Sequence, residues 1–415
     1  MRSSATNSAW LRRYRARSEP RLRLVAERPG TFDGVHRRNL SKLLRIVHRE
    51  GPLSRARLTE QTGLNRSTVA ALAAELVELG LVEERAPDPT NRVGRPSPVI
   101  AVHPTVVAIA VNPEIDAVTI AAVGLDRRVV VRDRVEVDRL VTPEETAGLV
   151  AETIMRWRRG PLRGARVVSI GLAVPGLVRA SDGLVRLAPH LGWREAPVRV
   201  LVEEATGILT IVGNDASHGA TAEHLFGAGM GVEDLVYLNG GASGIGGGVI
   251  VHGLLLGGAG GYAGEFGQNR PGIAAAADRR AAGGVLEDEV SRSRLLDALH
   301  LKHADEPTLA RAIEESDASA VHDEVARQRR ILATALANAV NVLNPSVVIL
   351  GGFLATIAER DRDGLAAAVE AQSMPAAFEL VELRTAALGE DRLMIGAAEA
   401  AFADLLDDPG RAVAG

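Results

Sequence analysis

Two short stretches of this sequence combine residue types that could do chemistry. Residues 65–68 place an amide, a guanidinium and two hydroxyls in a row, a set that can hydrogen-bond to phosphates and base edges. Asn214 and Asp215 place an amide beside a carboxylate, and this pair can donate to and accept from adjacent hydroxyls of one ligand. In isolation, an Asn-Asp pair is more typical of a turn or a helix cap. The function of each stretch therefore has to be inferred from the helices and strands predicted around it.

Composition excludes several classes of protein. The 415 residues include no cysteine, which rules out disulfides, thiolate catalysis and cysteine-ligated zinc. No apolar run approaches the roughly 18 residues of a membrane span, and the arginine-rich start is not followed by the apolar segment of a signal peptide. We therefore expect a cytoplasmic protein without a membrane partner.

Charge divides the chain after Thr105. Residues 1–105 hold 19 Lys and Arg against 10 Asp and Glu, a net charge of +9, while the remainder carries −13. A basic module before an acidic body favours binding of a polyanion by the module, because phosphate contacts dominate nucleic-acid affinity. The alternative is a bias toward arginine throughout, since lysine occurs only at positions 42 and 302. The pattern of predicted helices and strands has to distinguish polyanion binding from a general arginine bias.

The basic module has the pattern of three short helices. Apolar residues at i, i+3, i+4 and i+7 predict a helix from Asn39 until Gly51. Ser54 can cap a second helix that ends at Gly63, and Asn65 can cap a third with its own apolar stripe. The residues before this module, 1–35, show weak periodicity and are expected to form a disordered basic tail.

Two predicted strands, over residues 81–85 and 99–102, follow the third helix around a polar loop. This order is that of a winged helix-turn-helix, whose third helix enters the major groove of DNA. The loop contains Gly94-Arg95-Pro96, which matches the core of an AT-hook and would enter the minor groove. The alternative is a solvated hairpin with a stray arginine. The predicted DNA-binding residues are Arg55, Asn65, Arg66, Ser67, Thr68, Arg92 and Arg95.

Beyond Pro104 the chain alternates strands and helices. Three β-rich runs at 106–111, 118–123 and 129–137 precede the order helix, strand, helix, strand, helix, which ends near Phe226. The same order returns between Leu235 and a last helix over 394–406, with a later strand placed at 379–383. Two copies of one α/β unit predict a two-lobed protein with a cleft between the lobes.

Several motifs extend over both parts of the chain. They are Gly51-Pro52-Leu53-Ser54-Arg55-Ala56, Thr62-Gly63-Leu64, Gly80-Leu81-Val82, Gly171-Leu172-Ala173-Val174-Pro175-Gly176, Gly213-Asn214-Asp215-Ala216, Gly244-Ile245-Gly246-Gly247-Gly248, Gly264-Glu265-Phe266-Gly267, Asn344-Pro345, Leu350-Gly351-Gly352 and Ile395-Gly396-Ala397-Ala398. In this order and spacing, over residues 37–406, they resemble the transcription-regulator branch of the ROK family (repressor, open reading frame, kinase).

The resemblance implies the fold and the ligand. It implies an α/β, actin-like ATPase (ribonuclease H-like) two-lobed fold, preceded by the all-α, winged helix-turn-helix domain over residues 36–104. The first lobe would cover 105–218, completed by about 394–415, and the second 219–393. The family binds a sugar between the lobes, and its kinases transfer phosphate from ATP with the Asp of the Asn-Asp pair as general base. The implied ligand-binding residues are Asn214, Asp215, Glu265, Gln268 and Glu287.

Two departures from the family pattern bear on function. Kinase members carry an Asp-x-Gly-x-Thr-like phosphate loop, but here Asn112 replaces the Asp, Pro113 removes an amide donor and Glu114 adds a negative charge. The family also uses a His and three Cys to bind a zinc ion that braces the sugar-contacting loop. Gln268 stands at the His position, and the Cys cluster is replaced by alanine-rich sequence over 274–282. We therefore expect no kinase activity, no zinc and no cofactor.

The sequence thus predicts a sugar-responsive repressor rather than an enzyme. Its partners would be double-stranded operator DNA and a small-molecule sugar, and two-fold operators favour a homodimer or a dimer of dimers. An uncharged sugar or amino sugar is expected, because no Lys or Arg lies within a few residues of Asn214-Asp215 or immediately beside Glu265. Two alternatives are a ROK-type sugar kinase with an appended DNA-binding module, and a regulator controlled by a protein partner.

Overall fold

The structure, a computed structural model, describes residues 32–86 and 97–411. A small N-terminal module precedes a two-lobed α/β body. Within the described ranges, no helix combines the length and the apolar character that crossing a bilayer requires. The predictions for residues 1–31 and for the loop over 87–96 lie outside the described residues.

The N-terminal module is a winged helix-turn-helix, as predicted. Its elements are α1 (Phe32–Glu50), β1 (Leu53–Ser54), α2 (Arg55–Thr62), α3 (Arg66–Glu78), β2 (Val82–Arg85) and β3 (Val99–Val102). Helix α1 begins at Phe32, so the predicted disordered tail extends too far at its C-terminal end. The strands form an antiparallel sheet in the order β1-β3-β2.

Both predicted helix caps of the module are confirmed. The Ser54 hydroxyl accepts the Arg57 N–H at 3.3 Å, and the Asn65 Oδ1 accepts the Thr68 N–H at 2.8 Å. Gly63 ends α2 with a left-handed φ of 71°, which a residue with a side chain rarely adopts. These signals are local in the sequence, and they fix where α2 ends and α3 begins.

The first lobe is built around a five-stranded sheet. The elements in chain order are β4 (Val106–Pro113), β5 (Ala117–Gly124), β6 (Val129–Glu136), α4 (Pro143–Arg158), β7 (Arg166–Val174), β8 (Leu177–Val178), β9 (Val185–Ala188), β10 (Trp193–Ala196), α5 (Val198–Thr206), β11 (Thr210–Asn214) and α6 (Asp215–Phe226). The sheet order is β11-β7-β4-β5-β6, with β7 parallel to both β4 and β11. A second, small sheet of β8, β9 and β10 was not predicted.

The second lobe repeats this sheet. Its elements are β12 (Leu235–Gly241), β13 (Gly244–Val251), β14 (Leu254–Leu255), α7 (Leu286–Glu289), α8 (Arg292–Ala298), α9 (Glu306–Glu315), α10 (Ser319–Leu343), β15 (Val347–Gly352), α11 (Phe353–Glu359), α12 (Arg362–Glu370), α13 (Pro375–Phe378) and β16 (Glu382–Thr385). The order β14-β13-β12-β15-β16 again joins an antiparallel meander to parallel strands. The predicted strand start at Glu379 is wrong, because its N–H bonds to the Pro375 carbonyl at 3.0 Å and extends a helical turn.

The last helix, α14 (Arg392–Asp407), returns to the first lobe and also contacts the N-terminal module. A Cβ at Gly171 of β7 would overlap the Ala397 carbonyl, so glycine permits the close approach of α14 to the sheet. Leu43 of α1 and Phe402 of α14 belong to one continuous buried cluster. The DNA-binding module and the body therefore share a hydrophobic core.

Candidate ligand-binding cleft

A cavity of about 1220 Å³ lies between the two lobes. Its walls include the ends of β4, β11, β12 and β13 and three residues from the chain that follows β14, Glu265, Gln268 and Glu287. All five predicted ligand-binding residues line it: Asn214, Asp215, Glu265, Gln268 and Glu287. Residues more than seventy positions apart in sequence thus meet in one cavity, as the two-lobed architecture requires.

The two residues of the Asn-Asp pair have different roles in the structure. Asn214 caps α6, because its Oδ1 accepts the Ser217 N–H at 2.9 Å and its Nδ2 donates to the Gly176 carbonyl at 3.1 Å. Asp215 follows as the first residue of α6, and its Oδ1 accepts the Ala216 N–H at 2.8 Å. Burial raises the pKa of Asp215, against the lowering effect of these amides and of the more distant Arg392. The Asn214 side chain is thus used by the helix cap, whereas the Asp215 carboxylate lines the cavity and can bind a ligand.

The opposite wall carries Glu265, Gln268 and Glu287. The Gln268 amide donates to Glu287 Oε1 at 2.6 Å, and Glu287 Oε2 accepts the Ile245 N–H at 3.1 Å. Burial raises the pKa of Glu265, and the negative charges of Asp215 and Glu287 raise it further. Three carboxylates therefore face the same space, contributed by both lobes.

The stretch that corresponds to the kinase phosphate loop forms a tight turn between β4 and β5. The Asn112 amide donates to the Ala173 carbonyl at 2.8 Å, and the Glu114 N–H is taken by the Ala117 carbonyl at 2.7 Å. The pKa of Glu114 is raised by burial, although Arg134 lowers it through a 3.2 Å ion pair. The turn therefore presents a carboxylate to the cavity and uses the Glu114 amide internally.

Four arginines also line the cavity, a feature that spacing along the sequence did not reveal. They are Arg132, Arg134, Arg292 and Arg392. The premise that no basic residue lies near the ligand-binding residues is therefore wrong, because tertiary structure brings arginines to the cleft, while the uncharged effector itself stays a prediction. Ten carboxylates line the same cavity, namely those of Glu114, Asp116, Glu136, Asp138, Asp215, Glu265, Glu287, Asp305, Glu306 and Glu390. The cleft remains strongly acidic despite the arginines.

Arg392 joins the two lobes within the cavity. It begins α14 of the first lobe, and its side chain donates to Asn239 Oδ1 of β12 at 3.0 Å. Two further bonds of 2.5 and 3.0 Å reach the carboxylate of Glu306 at the start of α9. Nothing in the local sequence around Arg392 signals this role, since both partners are more than eighty residues away.

The predicted DNA-contacting residues at the start of α3 are at the surface. Arg66 and Ser67 are exposed, and Thr68 is half-buried. The Asn65 Oδ1 already accepts the Ser67 hydroxyl at 2.7 Å in addition to its helix-capping bond. Arg55 forms a 2.5 Å ion pair with Glu84 of the wing strand β2. The predicted wing arginines, Arg92 and Arg95, belong to the part of the chain that the structure does not describe.

Buried polar contacts connect the module to the body. His48 of α1 is 1% exposed, and its Nδ1 and Nε2 lie 2.6 Å from the Leu125 carbonyl and 2.7 Å from the Glu399 carboxylate. Its ring also packs edge-on against Phe226 at the end of α6 and Phe402 of α14. Two helices that begin in the cleft, at Asp215 and Arg392, thus both reach the same histidine of the DNA-binding module.

The fold and the cleft define a two-lobed, actin-like protein with an N-terminal winged helix. The model of the ROK family matches residues 109–403, and that of the MarR family matches residues 41–92. The chain belongs to the ROK family.

Relatives of two kinds share this architecture. A xylose repressor of Caldicellulosiruptor bescii is 26% identical over 376 residues, which cover 86% of this chain and 93% of the repressor. A crystal structure of a ROK family transcriptional regulator, a homologue of the Escherichia coli MLC protein, superposes with a TM-score of 0.71 at 22% identity, over 92% of this chain and all of the other. A ROK hexokinase from Thermus thermophilus matches with a TM-score of 0.55 at 29% identity, over 72% of this chain and 99% of its own.

Proposed function

We propose that this chain is a sugar-responsive transcriptional repressor of carbohydrate uptake or catabolism genes, without kinase activity. The proposal rests on one observation. A shared hydrophobic core joins helix α3, whose capped N-terminus is exposed, to a body with a cleft lined by side chains that can bind hydroxyl groups. The similarity to a xylose repressor over 86% of the chain supports the same assignment. Operator DNA and a sugar would be its two ligands, and a homodimer or a dimer of dimers would match a two-fold operator.

The phosphate-loop turn favours a regulator over a kinase. Phosphoryl transfer from ATP needs amide donors and a metal-binding carboxylate at the phosphates. Here Pro113 has no N–H, the Glu114 N–H bonds to Ala117, and the Glu114 carboxylate would repel a phosphate. The ROK hexokinase match keeps the kinase as a second candidate function, and an assay of phosphoryl transfer decides between them.

The charge of the cleft favours an uncharged sugar or an amino sugar as the effector. Ten carboxylates against four arginines disfavour a phosphorylated ligand, and three of these arginines are already committed to carboxylates. Hydroxyl and amino groups can donate to Asp215, Glu265 and Glu287, which are acceptors when ionised. A neutral or cationic polyol therefore suits the cavity better than an anion does.

The two helices between the cleft and His48 supply a route for regulation. An effector that contacts Asp215 on one lobe and Glu287 on the other would favour one separation of the lobes. Because α6 and α14 both begin at the cleft, a change in that separation would move their far ends against His48 of α1. The effector would then alter operator affinity through its different affinity for the two arrangements.

The test begins with genomic DNA fragments selected by the purified protein. The selected operator is then titrated at fixed salt with and without D-xylose, D-glucose, N-acetylglucosamine, glucosamine and their phosphates. We expect a neutral or amino sugar to change operator affinity, and Asp215→Ala to abolish this response while leaving ligand-free affinity unchanged. Exposed Asp363→Ala is the matched control. Response to phosphorylated sugars alone would contradict the proposed effector class.

A further inference from the structure

The chain between Gln268 and Glu287 forms a closed loop whose two ends are both at the cleft. We name residues 269–285 the cleft loop. The Leu286 N–H donates to the Asn269 carbonyl at 2.8 Å, which ties the two ends together beside the Gln268–Glu287 hydrogen bond. The position of the cleft loop therefore sets the position of two predicted ligand-binding side chains.

The cleft loop buries little apolar surface of its own. Residues 274–277 are exposed alanines, and Ile273 is the loop residue that packs against the core of the second lobe. Such a segment has little hydrophobic burial to offset the entropy of ordering it. Polar contacts therefore have to hold it in place.

The buried contacts among them converge on one carboxylate, whereas Arg330 pairs with Asp278 of the loop at the exposed surface. Glu289, at the end of α7, is fully buried, and it accepts the Arg280 N–H on both oxygens at 3.0 Å and the Ala281 N–H at 2.9 Å. Arg327 of α10, 2% exposed, donates to Glu289 Oε2 at 3.0 Å and to the Asp278 carbonyl at 2.8 Å. One guanidinium and one carboxylate thus fix the middle of the loop to the long helix α10.

The surrounding contacts complete this arrangement. A second guanidinium nitrogen of Arg327 donates to the Glu289 carbonyl at 2.6 Å and to Glu324 at 2.7 Å. Gln328, also buried, exchanges two 3.0 Å bonds with the backbone of Ser291. A buried ion pair adds little net stability, but loss of one partner leaves an uncompensated buried charge. The pair is therefore better suited to fixing a conformation than to increasing stability.

The donor set around the loop does not fit zinc. Across residues 32–86 and 97–411, no group of three or more His, Cys, Asp or Glu side chains is placed to hold a metal ion. The loop contributes alanines where cysteines would be needed, and the neighbouring Glu289 carboxylate is already saturated by amide and guanidinium donors. The loop is held by hydrogen bonds and charge.

We propose that the Glu289–Arg327 pair positions Gln268 and Glu287 for the effector, in the place where a metal ion would otherwise brace the loop. The effector part of this inference rests on the proposed function, whereas the bracing of the loop does not. Arg327 and Glu289 are positioning residues, since neither lines the cavity.

Hydrogen exchange of the full chain tests the brace without any effector. The amides of Arg280 and Ala281 report on the loop, and that of Ile245, bonded to Glu287, reports on the ligand-binding side chain. We expect Arg327→Met to accelerate exchange at all three by at least about tenfold, the fold-change expected for losing a hydrogen bond to a charged group. Arg330→Met, which breaks the exposed pair with Asp278, is the matched control and should leave Ile245 unchanged.

Further variants and a chelator separate the outcomes. If Arg327→Met does not fold, Arg327→Lys serves instead, because one ammonium cannot span the four acceptor groups of Arg327 and exchange should still rise. Unchanged exchange at Ile245 in either folded variant would overturn the proposal, as would faster exchange in the native protein on adding 1,10-phenanthroline. Calorimetry with the sugar that shifts operator affinity should then show at least about tenfold weaker binding to Arg327→Met. If no sugar binds the native protein, the proposed function fails while the exchange data still decide on the brace.

Discussion

Replacing His48 tests whether the DNA-binding module and the effector cleft are coupled at this residue. Both ring nitrogens face acceptors, the Leu125 carbonyl and the Glu399 carboxylate, at 2.6 and 2.7 Å. His48→Leu removes the ring that contacts both groups and leaves the Glu399 carboxylate, which is 9% exposed, without its partner. For a buried pair broken on one side, the free energy of unfolding should fall by about 3 to 5 kcal/mol.

The double variant supplies the decisive comparison. Glu399→Leu alone should cost about 1 to 3 kcal/mol, because one ring nitrogen of His48 loses its hydrogen-bond partner while the other keeps the Leu125 carbonyl. With both residues changed to leucine, the neighbouring rings of Phe226 and Phe402 provide an apolar setting, and the loss should be well below the sum of the single losses. Urea denaturation followed by circular dichroism at 222 nm measures each value.

His36→Leu is the matched control on the same helix. His36 forms a 2.7 Å pair with Glu75, but both side chains are about 40% exposed, so its removal should cost less than about 1 kcal/mol. The operator response of the stable double variant then tests the coupling itself. We expect it to bind operator and to respond less to the effector. Strictly additive stability losses, or a full effector response in the double variant, would refute the role of His48.

Three further predictions concern DNA, the cleft and pH. Arg66→Ala should weaken specific operator binding by about 1 to 3 kcal/mol in a titration at fixed salt, while the remote exposed Arg159→Ala should not. Asp215→Asn should raise the melting temperature at pH 7, because burial raises the pKa of this carboxyl and disfavours its charge. A coupled assay should detect no sugar phosphorylation by the native protein. Turnover that disappears in Asp215→Asn would favour the kinase. Burial lowers the pKa of His218 to about 4, although a bond to the Leu172 backbone raises it, so the unfolded chain protonates first as the pH falls. The free energy of unfolding should then fall by about 1.4 kcal/mol per unit between pH 6.5 and 4, and His218→Gln should flatten that slope in denaturation curves across this range.

The sequence predicts local features of this fold well, because their causes are local. The caps at Ser54 and Asn65 depend on residues three positions away, and both are confirmed. The predicted strand start at Glu379 is wrong for a reason that is also local. The preceding Pro375 begins a short helix, and the spacing of the apolar residues does not signal it. The small sheet of β8, β9 and β10 was missed because its strands are two to four residues long and show no usable alternation.

The cleft was predictable only in the residues that motifs mark. Its five marked residues do line one cavity, yet their role in binding stays a prediction. Arg392 and Arg134 could not be predicted, because each acquires its role from partners on other elements. The same holds for Glu289 and Arg327, whose carboxylate and guanidinium meet across 38 positions. Charge in a folded cleft is a property of tertiary contacts, and sequence neighbours are a poor guide to it.

These contacts also explain how a kinase-like body could serve as a sensor. A ligand shifts an equilibrium only by its different affinity for the two states, so the cleft must contact it from both lobes. Asp215 follows the first sheet, whereas Glu265 and Glu287 belong to the second lobe, and Arg392 already spans the gap to Glu306. In the proposed regulator, the missing N–H of Pro113 and the internally bonded N–H of Glu114 would prevent phosphoryl transfer without disturbing these bridging groups. With α6 and α14 leading from the cleft to His48, closure around a sugar would act directly on the helix that supports the DNA-binding module.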